Sequence, residues 1–204
     1  MRQCDRIIKA YLIFLLIFTA NAAHAFYTVQ ESGDLLKPEQ MQMAAELQFV
    51  TSGNDGINLL ARFDKGFDND SNLRFVGGLG TTDFILGGYF KWVPYPDYEE
   101  QPAIGFTFGA QLARYEGENE LSGRIIPFVS KKLDSDNGEF TPYVSLPFGF
   151  SNYNDHGRSP LQLVIGSRYR HQEFDKCDFN AEIGFDLNDA ATYISLGAIF
   201  PAFE

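Results

Sequence analysis

The sequence predicts an all-β protein: a closed, antiparallel, up-and-down transmembrane β-barrel of ten strands, with eight strands as the alternative. Three observations support this fold class. An export signal opens the chain, apolar and polar residues alternate with period two from about residue 43 to residue 200, and no later apolar run is long enough for a membrane-spanning helix. Because every backbone polar group inside a bilayer must be hydrogen-bonded, an exported chain without such a helix can span a membrane only as a closed barrel.

The first 25 residues have the three parts of a cleavable signal peptide. Three basic residues precede an apolar run over 10–20, and an Ala-His-Ala triplet ends at Ala25 with small residues where signal peptidase requires them. We expect cleavage after Ala25. An uncleaved N-terminal anchor is the alternative, but the apolar run is too short to span a bilayer comfortably.

The composition of the exported part excludes several classes of function. Cleavage after Ala25 would change the formal net charge from −11 to −13, which argues against a nucleic-acid partner and against adhesion to anionic lipid. Cys177 would be the one remaining cysteine, so an internal disulfide and cysteine-based metal sites are excluded. With His156 and His171 as the remaining histidines, we predict no metal site and no cofactor.

Residues 26–42 are predicted to form an irregular stretch at the N-terminus of the exported part, interrupted by Gly33 and Pro38. Residues 43–204 are predicted to form the barrel. Ten candidate strands lie near 43–51, 56–64, 72–80, 83–93, 103–115, 120–132, 139–152, 160–173, 177–187 and 191–200. The weakest separator is the stretch from Gly80 to Asp83. If 72–93 were one bent strand and one further boundary failed, the barrel would have eight strands.

The alternation defines two faces on each strand. In 103–113, 140–151 and 178–187, one face is wholly apolar and the other is mostly polar or glycine. An apolar face could turn toward a soluble core or toward lipid. Lipid is favoured because strands of about ten residues match a tilted membrane crossing. Aromatic side chains near the ends of the apolar faces also suggest interfacial girdles, namely Phe49, Phe63, Trp92, Phe150 and Phe200.

The polar face contains many charged residues, and we predict that they form a charge network in the lumen. The members are Glu46, Arg62, Arg74, Asp83, Lys91, Arg124, Arg168, Arg170, Glu182 and Asp186. Because isolated buried ions are very costly, these charges should pair across a narrow lumen. A ten-strand barrel has little free interior once long side chains are placed, so the interior should be largely occluded.

With its signal peptide, alternating strands, aromatic strand ends and last strand over 193–200, the chain resembles the small outer-membrane barrels of the OmpA, OmpX and OmpW kind. The resemblance covers the architecture of 43–203 and matches no single family's motif. It implies a location in the outer membrane of a Gram-negative bacterium, contact with outer-membrane lipid, and assembly by the barrel-insertion machinery, which recognises an aromatic residue at the C-terminus. We expect a monomer.

The sequence leaves the biological task open. Our main hypothesis is a non-enzymatic barrel with a role in envelope structure or in surface interactions. The alternatives are a narrow channel for small solutes, a lipid-modifying enzyme and a soluble, lipocalin-like barrel whose apolar face turns inward around a ligand. The enzyme hypothesis rests on Asp155, His156 and Ser159, which lie close together in a polar loop without a family motif, so a solvated turn is the better interpretation.

Overall fold

The computed structural model describes residues 28–52, 55–115, 117–172 and 176–203. Within these residues the chain forms thirteen strands and no helix, and hence no helix long and apolar enough to cross a membrane. The strands are β1 (Met41–Val50), β2 (Gly56–Asp68), β3 (Ser71–Gly80), β4 (Phe84–Tyr95), β5 (Ala103–Tyr115), β6 (Glu118–Ser130), β7 (Leu133–Ser135), β8 (Gly138–Ser145), β9 (Phe148–Tyr153), β10 (His156–Arg158), β11 (Leu161–His171), β12 (Asp178–Asn188) and β13 (Tyr193–Ile199).

The sheet closes on itself because β1 pairs with both β2 and β13. All the pairings are antiparallel, and β8 and β9 together form one wall strand between β6 and β11. The wall therefore has ten strands, as the sequence predicts. The separator at 81–83 divides β3 from β4, so the eight-strand alternative is wrong.

The predicted strand over 139–152 is interrupted at Leu146 and Pro147. Proline has no N–H to donate to a ladder, and a second proline, Pro127, lies opposite on β6. Two backbone hydrogen bonds still join the break to its neighbours: Leu146 N donates to Pro127 O on β6 at 3.1 Å, and Gln162 N on β11 donates to Pro147 O at 2.9 Å. The two short strands β7 and β10 form hairpins with β8 and β9.

The start of β1 and the end of the described chain lie at the same end of the barrel. Met41 and Phe203 exchange two backbone hydrogen bonds of 2.8 Å, so β1 begins two residues earlier than predicted. We call this end the terminal mouth. It includes the connections at 69–70, 96–102 and 131–137, the last of which contains β7. The opposite end, with the turns at 81–83 and 189–192, is the distal end.

The apolar face of each strand points outward. In β6, Ile125 is 37% exposed on the outer surface, whereas the next residue, Ile126, is 1% exposed and points into the lumen. The apolar sets in β5, β8, β9 and β12 are likewise on the exposed side. A lipocalin-like barrel needs the opposite arrangement, with an apolar interior, so the structure does not support that alternative.

The distal end of the lumen is filled by side chains of the wall itself. Leu60, Ile85, Ala113 and Tyr115 form a buried cluster there, with Val76 and Tyr153 packed against it. These inward apolar residues interrupt the polar alternation near the distal end. Most of the charged side chains of the interior therefore lie in the middle of the barrel and at the terminal mouth, whereas Glu120 is buried near the distal end.

Candidate functional site

The lumen contains residues 28–36, which we call the N-terminal segment. From β1 the chain folds back through the terminal mouth, and Thr28 to Ser32 are buried in the middle of the barrel. Gly33 permits close contact with the wall, because a Cβ atom there would lie 2.2 Å from the Cβ of Ala103. Its backbone N–H donates to Ser130 Oγ at 2.7 Å. The lumen is thus occupied by the chain itself at mid-height.

Arg74 connects the segment to the wall. Its Nη1 lies 2.6 Å from Glu31 Oε1 and donates to the carbonyl oxygen of Val29 at 3.0 Å. Its Nε donates to Asp64 Oδ1 at 2.7 Å. The Glu31 carboxylate also accepts a 2.9 Å hydrogen bond from the hydroxyl of Thr107. These groups are buried, so each charge depends on its partners and not on water.

Arg62 forms a second junction beside the first. Its Nη1 lies 3.2 Å from Glu46 Oε1, and its Nε lies 2.9 Å from Asp64 Oδ2. The same Nη1 donates to the side-chain oxygen of Gln30 at 3.1 Å. The second oxygen of Glu46 accepts a 2.6 Å hydrogen bond from the hydroxyl of Thr28. Asp64 therefore bridges Arg62 and Arg74, and both arginines also bind the segment.

Glu182 holds the inner end of the segment. Its two carboxylate oxygens accept hydrogen bonds from the backbone N–H groups of Val29 and Gln30, each at 2.7 Å. They also accept from the hydroxyls of Tyr143 at 2.7 Å and Tyr193 at 2.8 Å. Four donors around one buried carboxylate satisfy its lone pairs, so no arginine is needed beside it.

Asp34 binds the wall where the segment leaves the lumen. Its carboxylate lies 3.0 Å from Arg168 Nη1 and 2.6 Å from Lys132 Nζ, and its carbonyl oxygen accepts from Lys91 Nζ at 2.7 Å. Arg168 also donates through Nε to Asp178 at 2.8 Å. The segment thus brings two acidic side chains, Glu31 and Asp34, to basic groups of the wall.

An open vestibule of about 700 Å³ lies between the segment and the terminal mouth. Side chains of both charges line it, among them Arg62, Arg168, Arg170, Lys132 and Asp178, together with apolar residues such as Ile199. Around the inner end of the segment, by contrast, a void of only about 10 Å³ remains, close to the space that one water needs. The segment and the distal cluster therefore leave little free lumen beyond the vestibule.

The structure places seven of the ten predicted lumen charges in the buried interior: Glu46, Arg62, Arg74, Lys91, Arg124, Arg168 and Glu182. Arg124 lies nearer the distal end than the two arginine junctions. It donates to the hydroxyl of Tyr89 at 2.8 Å, and its guanidinium lies 4.8 Å from the centre of the Tyr89 ring. Arg170 lies at the terminal mouth, where its side chain is 48% exposed and pairs with Glu139 and Asp178.

Two of the ten, Asp83 and Asp186, are not part of the network. Asp83 is exposed in the 81–83 turn and accepts a hydrogen bond from Gly117 N at 3.3 Å. Asp186 is exposed near the distal end and accepts from Ala190 N at 3.0 Å. Alternation predicts which face a residue takes, but it does not show how far along a strand the enclosed lumen extends.

Sequence reasoning missed the acidic partners Glu31, Asp34 and Asp64. Asp64 has the same parity as Arg62 on β2, so alternation could have found it at the end of the predicted strand. The partners on the segment could not be found in that way, because residues 28–36 have no periodic pattern. Glu31 and Asp34, which flank Gly33, gave no signal of burial.

The residues considered for catalysis lie away from the lumen. His156 begins β10, is exposed at the distal end, and its Nδ1 lies 2.7 Å from the carbonyl oxygen of Asn154. Asp155 occupies the adjacent turn with a φ of 62°. Within the described residues, no group of three or more His, Cys, Asp or Glu could hold a metal ion, and Cys177 is a free thiol.

No protein-family model matches the chain, and no curated protein matches it. Similar solved structures include a de novo designed transmembrane β-barrel, with 12% identity, a TM-score of 0.40, and coverage of 83% of this chain and 100% of that chain. They also include an outer membrane channel from Pseudomonas putida F1, with 8% identity, a TM-score of 0.49, and coverage of 87% and 100%. Both TM-scores are below 0.5, and the closed ten-stranded barrel follows from the strand pairing of this chain.

Proposed function

We propose that the protein is an outer-membrane β-barrel whose lumen is closed by its own N-terminal segment, with a role in envelope structure or in surface interactions. The observation that supports this most is the polarity of the wall. Apolar side chains cover the outer surface, whereas arginines, lysines and carboxylates are buried inside. That is the reverse of a soluble protein and is typical of a barrel in lipid.

The size of the apolar outer surface supports the membrane placement. Large apolar side chains on nearly every wall strand are more than a third exposed, among them Leu59, Phe75, Leu86, Phe108, Val144, Ile165, Ile183 and Leu196. Monomeric soluble proteins rarely expose contiguous apolar patches beyond a few hundred Å². A barrel that is apolar around its circumference would therefore aggregate in water, whereas a bilayer would cover this surface.

Strand lengths agree with this placement. The wall strands β2, β5 and β6 have 13 residues each, and β4 has 12. A tilted strand needs about 9–11 residues to cross the hydrocarbon core. Trp92 and Phe106, whose ring centroids are 6.3 Å apart, lie near the terminal mouth, where an aromatic girdle is expected.

The choice of the outer membrane depends on the proposed signal peptide, whose residues lie outside the described part of the chain. The same proposal includes outer-membrane lipid and the barrel-insertion machinery as partners, a monomeric state and no enzymatic activity.

The test is cell fractionation combined with electrophoresis of unboiled samples. We expect the chain in the outer-membrane fraction, beginning at Phe26, and migrating faster when unboiled because a folded barrel resists SDS. The control is an Ala25→Pro variant, which should retain residues 1–25 and should not reach the outer membrane. A wild-type chain that is soluble without detergent, or that migrates identically with and without boiling, would show that the proposal is wrong.

The vestibule favours a second candidate, a channel for small solutes that opens when the segment is displaced. In that case the distal cluster around Tyr115 would also have to rearrange, because it closes the other end of the lumen. Planar-bilayer recording of the full chain distinguishes the two candidates. A closed barrel shows no unitary current steps, whereas a channel shows steps whose frequency increases in a Glu182→Gln variant that weakens the hold on the segment.

A further inference from the structure

The wall binds the N-terminal segment in the way that a protein binds a peptide ligand. In the described part of the chain, every hydrogen bond found between residues 28–36 and the barrel involves a wall side chain. The segment adds no strand to the sheet. The wall would therefore keep its own ladder of backbone hydrogen bonds if the segment left.

Many of these contacts recognise the backbone of the segment. Wall side chains accept from the N–H groups of Val29, Gln30, Gly33 and Leu36, and they donate to the carbonyl oxygens of Val29, Gln30 and Asp34. Backbone contacts of this kind depend on the course of the chain and not on the identity of each side chain. They give affinity for an irregular peptide that follows this path.

Side-chain contacts add a requirement for acidic residues. Glu31 is completely buried and binds Arg74 at 2.6 Å, with Lys91 Nζ 3.8 Å away. Asp34 binds Arg168 and Lys132. Between these two residues lies Gly33, where a Cβ atom would be 2.2 Å from the Cβ of Ala103. A larger residue therefore fits there only if the segment or the wall moves. The site therefore selects a carboxylate, a small residue two positions later and a second carboxylate next to it.

The backbone of the segment is shaped by the wall. Gln30 has a φ of 43°, in the left-handed region that a non-glycine residue rarely adopts. Its N–H is held by Glu182, and its carbonyl oxygen and side chain accept from Arg62. An isolated chain would leave this conformation, because strain of this kind persists only where the surroundings impose it. The wall thus holds the segment in a conformation that the segment would not keep by itself, as a receptor holds its ligand.

We propose that the lumen is a binding site for an acidic peptide of another polypeptide that follows the same irregular path, and that the chain's own N-terminal segment occupies it in cis. The proposal rests on the proposed function in one respect: the terminal mouth, through which such a peptide would enter, must be open to the aqueous side of a membrane. The intramolecular ligand has an effective concentration of about 1 mM or more. A free peptide therefore binds only where it is abundant or where the chain's own segment is weakened.

The experiment uses the full chain, folded in detergent, and a fluorescent synthetic peptide with the sequence of residues 28–40. In the variant Glu31→Lys/Asp34→Lys, two lysines face Arg74, Lys91, Arg168 and Lys132, so the chain's own segment should leave the lumen. We expect this variant to bind the peptide, measured by fluorescence anisotropy, at least tenfold more tightly than the wild-type protein. If the double variant does not fold, Gly33→Val replaces it, because its side chain would overlap Ala103.

Matched peptides test the specificity. A peptide with the Glu31→Gln substitution should bind at least tenfold more weakly, because it loses the charge that faces Arg74. A peptide with Glu39→Gln should bind within about twofold of the parent, since the Glu39 side chain is 81% exposed and pairs only with Lys65 near the surface. Equal weakening by both substitutions would show general charge attraction and would overturn the proposal.

The outcome is independent of the membrane proposal. Folding of each variant is checked by its far-UV circular dichroism spectrum, which reports strand content whether or not the barrel belongs in a membrane, before binding is measured. A folded variant that fails to bind the peptide overturns the peptide-binding inference and leaves the membrane placement intact. A chain that is absent from the outer membrane but whose folded variant binds the peptide overturns the placement and leaves the binding site intact.

Discussion

Replacing Arg74 with Met should destabilise the barrel much more than removing a surface cation. In the wild type, Arg74 binds Asp64 at 2.7 Å, Glu31 at 2.6 Å and the carbonyl of Val29 at 3.0 Å. After the substitution Asp64 keeps Arg62, but Glu31 keeps only the hydroxyl of Thr107 and a distant lysine. Removing one partner of a buried ion pair typically costs about 3–5 kcal/mol, and we expect a loss in that range.

The assay is equilibrium unfolding in urea of the protein in lipid vesicles, followed through Trp92, the one tryptophan of the chain. A double-mutant cycle with Glu31→Gln isolates the pair. Neutralising Glu31 removes the uncompensated charge, so the double variant should be less destabilised than the sum of the single variants by about 1–3 kcal/mol.

The matched control is Lys65→Met. Lys65 pairs with Glu39 at 2.9 Å, a distance close to those made by Arg74, but at the surface. Exposed pairs contribute about 0–1 kcal/mol, so this variant should be nearly as stable as the wild type. If Arg74→Met cost no more than Lys65→Met, the lumen would be hydrated and the account of a dry charge network would be refuted.

Three further predictions concern the segment, the outer surface and a turn. Replacing Glu182 with Leu leaves four buried donors without an acceptor, so amide exchange across residues 28–32 should accelerate at least tenfold by mass spectrometry; unchanged protection would contradict this role. Replacing Ile125 with Arg should reduce the unfolding free energy in vesicles by about 2–4 kcal/mol, against about 0–1 kcal/mol for Tyr98→Arg in the 96–102 turn; equal losses would contradict a lipid-facing Ile125. Burial raises the pKa of Asp97, but hydrogen bonds from the Lys131 side chain and from the backbone N–H of Lys132 lower it more, so that the pKa lies below 3.8. The ionised Asp97 carboxylate therefore stabilises the fold fully above pH 3.8, and this contribution is lost as the pH falls through the lowered pKa. We expect Asp97→Asn to lower the free energy of unfolding at pH 7 and not at about pH 2, which urea unfolding at the two pH values would show; an equal loss at both would contradict the ion pair.

The fold could be predicted because a membrane barrel repeats one simple pattern. Each wall strand needs an apolar residue at every second position, and this requirement appears directly in sequences such as 103–113 and 178–187. The break at Pro147 was visible as a proline, but its effect depends on Pro127 in the facing strand. Pairing between distant strands is not encoded in either strand alone.

The lumen was predicted only in part, because its chemistry depends on a segment with no periodicity. Arg62, Arg74 and Glu182 were found from their parity on the strands. Their partners Glu31 and Asp34 lie in residues 28–36, whose place inside the barrel follows from the shape of the lumen and the contacts of Gly33. A local sequence pattern cannot show that a segment folds back into a cavity formed by ten later strands.

The most direct test of the account uses the adjacent residues Ile125 and Ile126, whose side chains point in opposite directions. In lipid nanodiscs, nuclear Overhauser contacts of the two methyl groups report what each side chain touches. We predict contacts from Ile125 to lipid acyl chains, and from Ile126 to Val29 of the N-terminal segment, with which it shares a buried cluster. Contacts of Ile125 to water or of Ile126 to lipid would contradict the membrane-spanning wall, and an Ile126 without contact to Val29 would contradict a lumen filled by the chain itself.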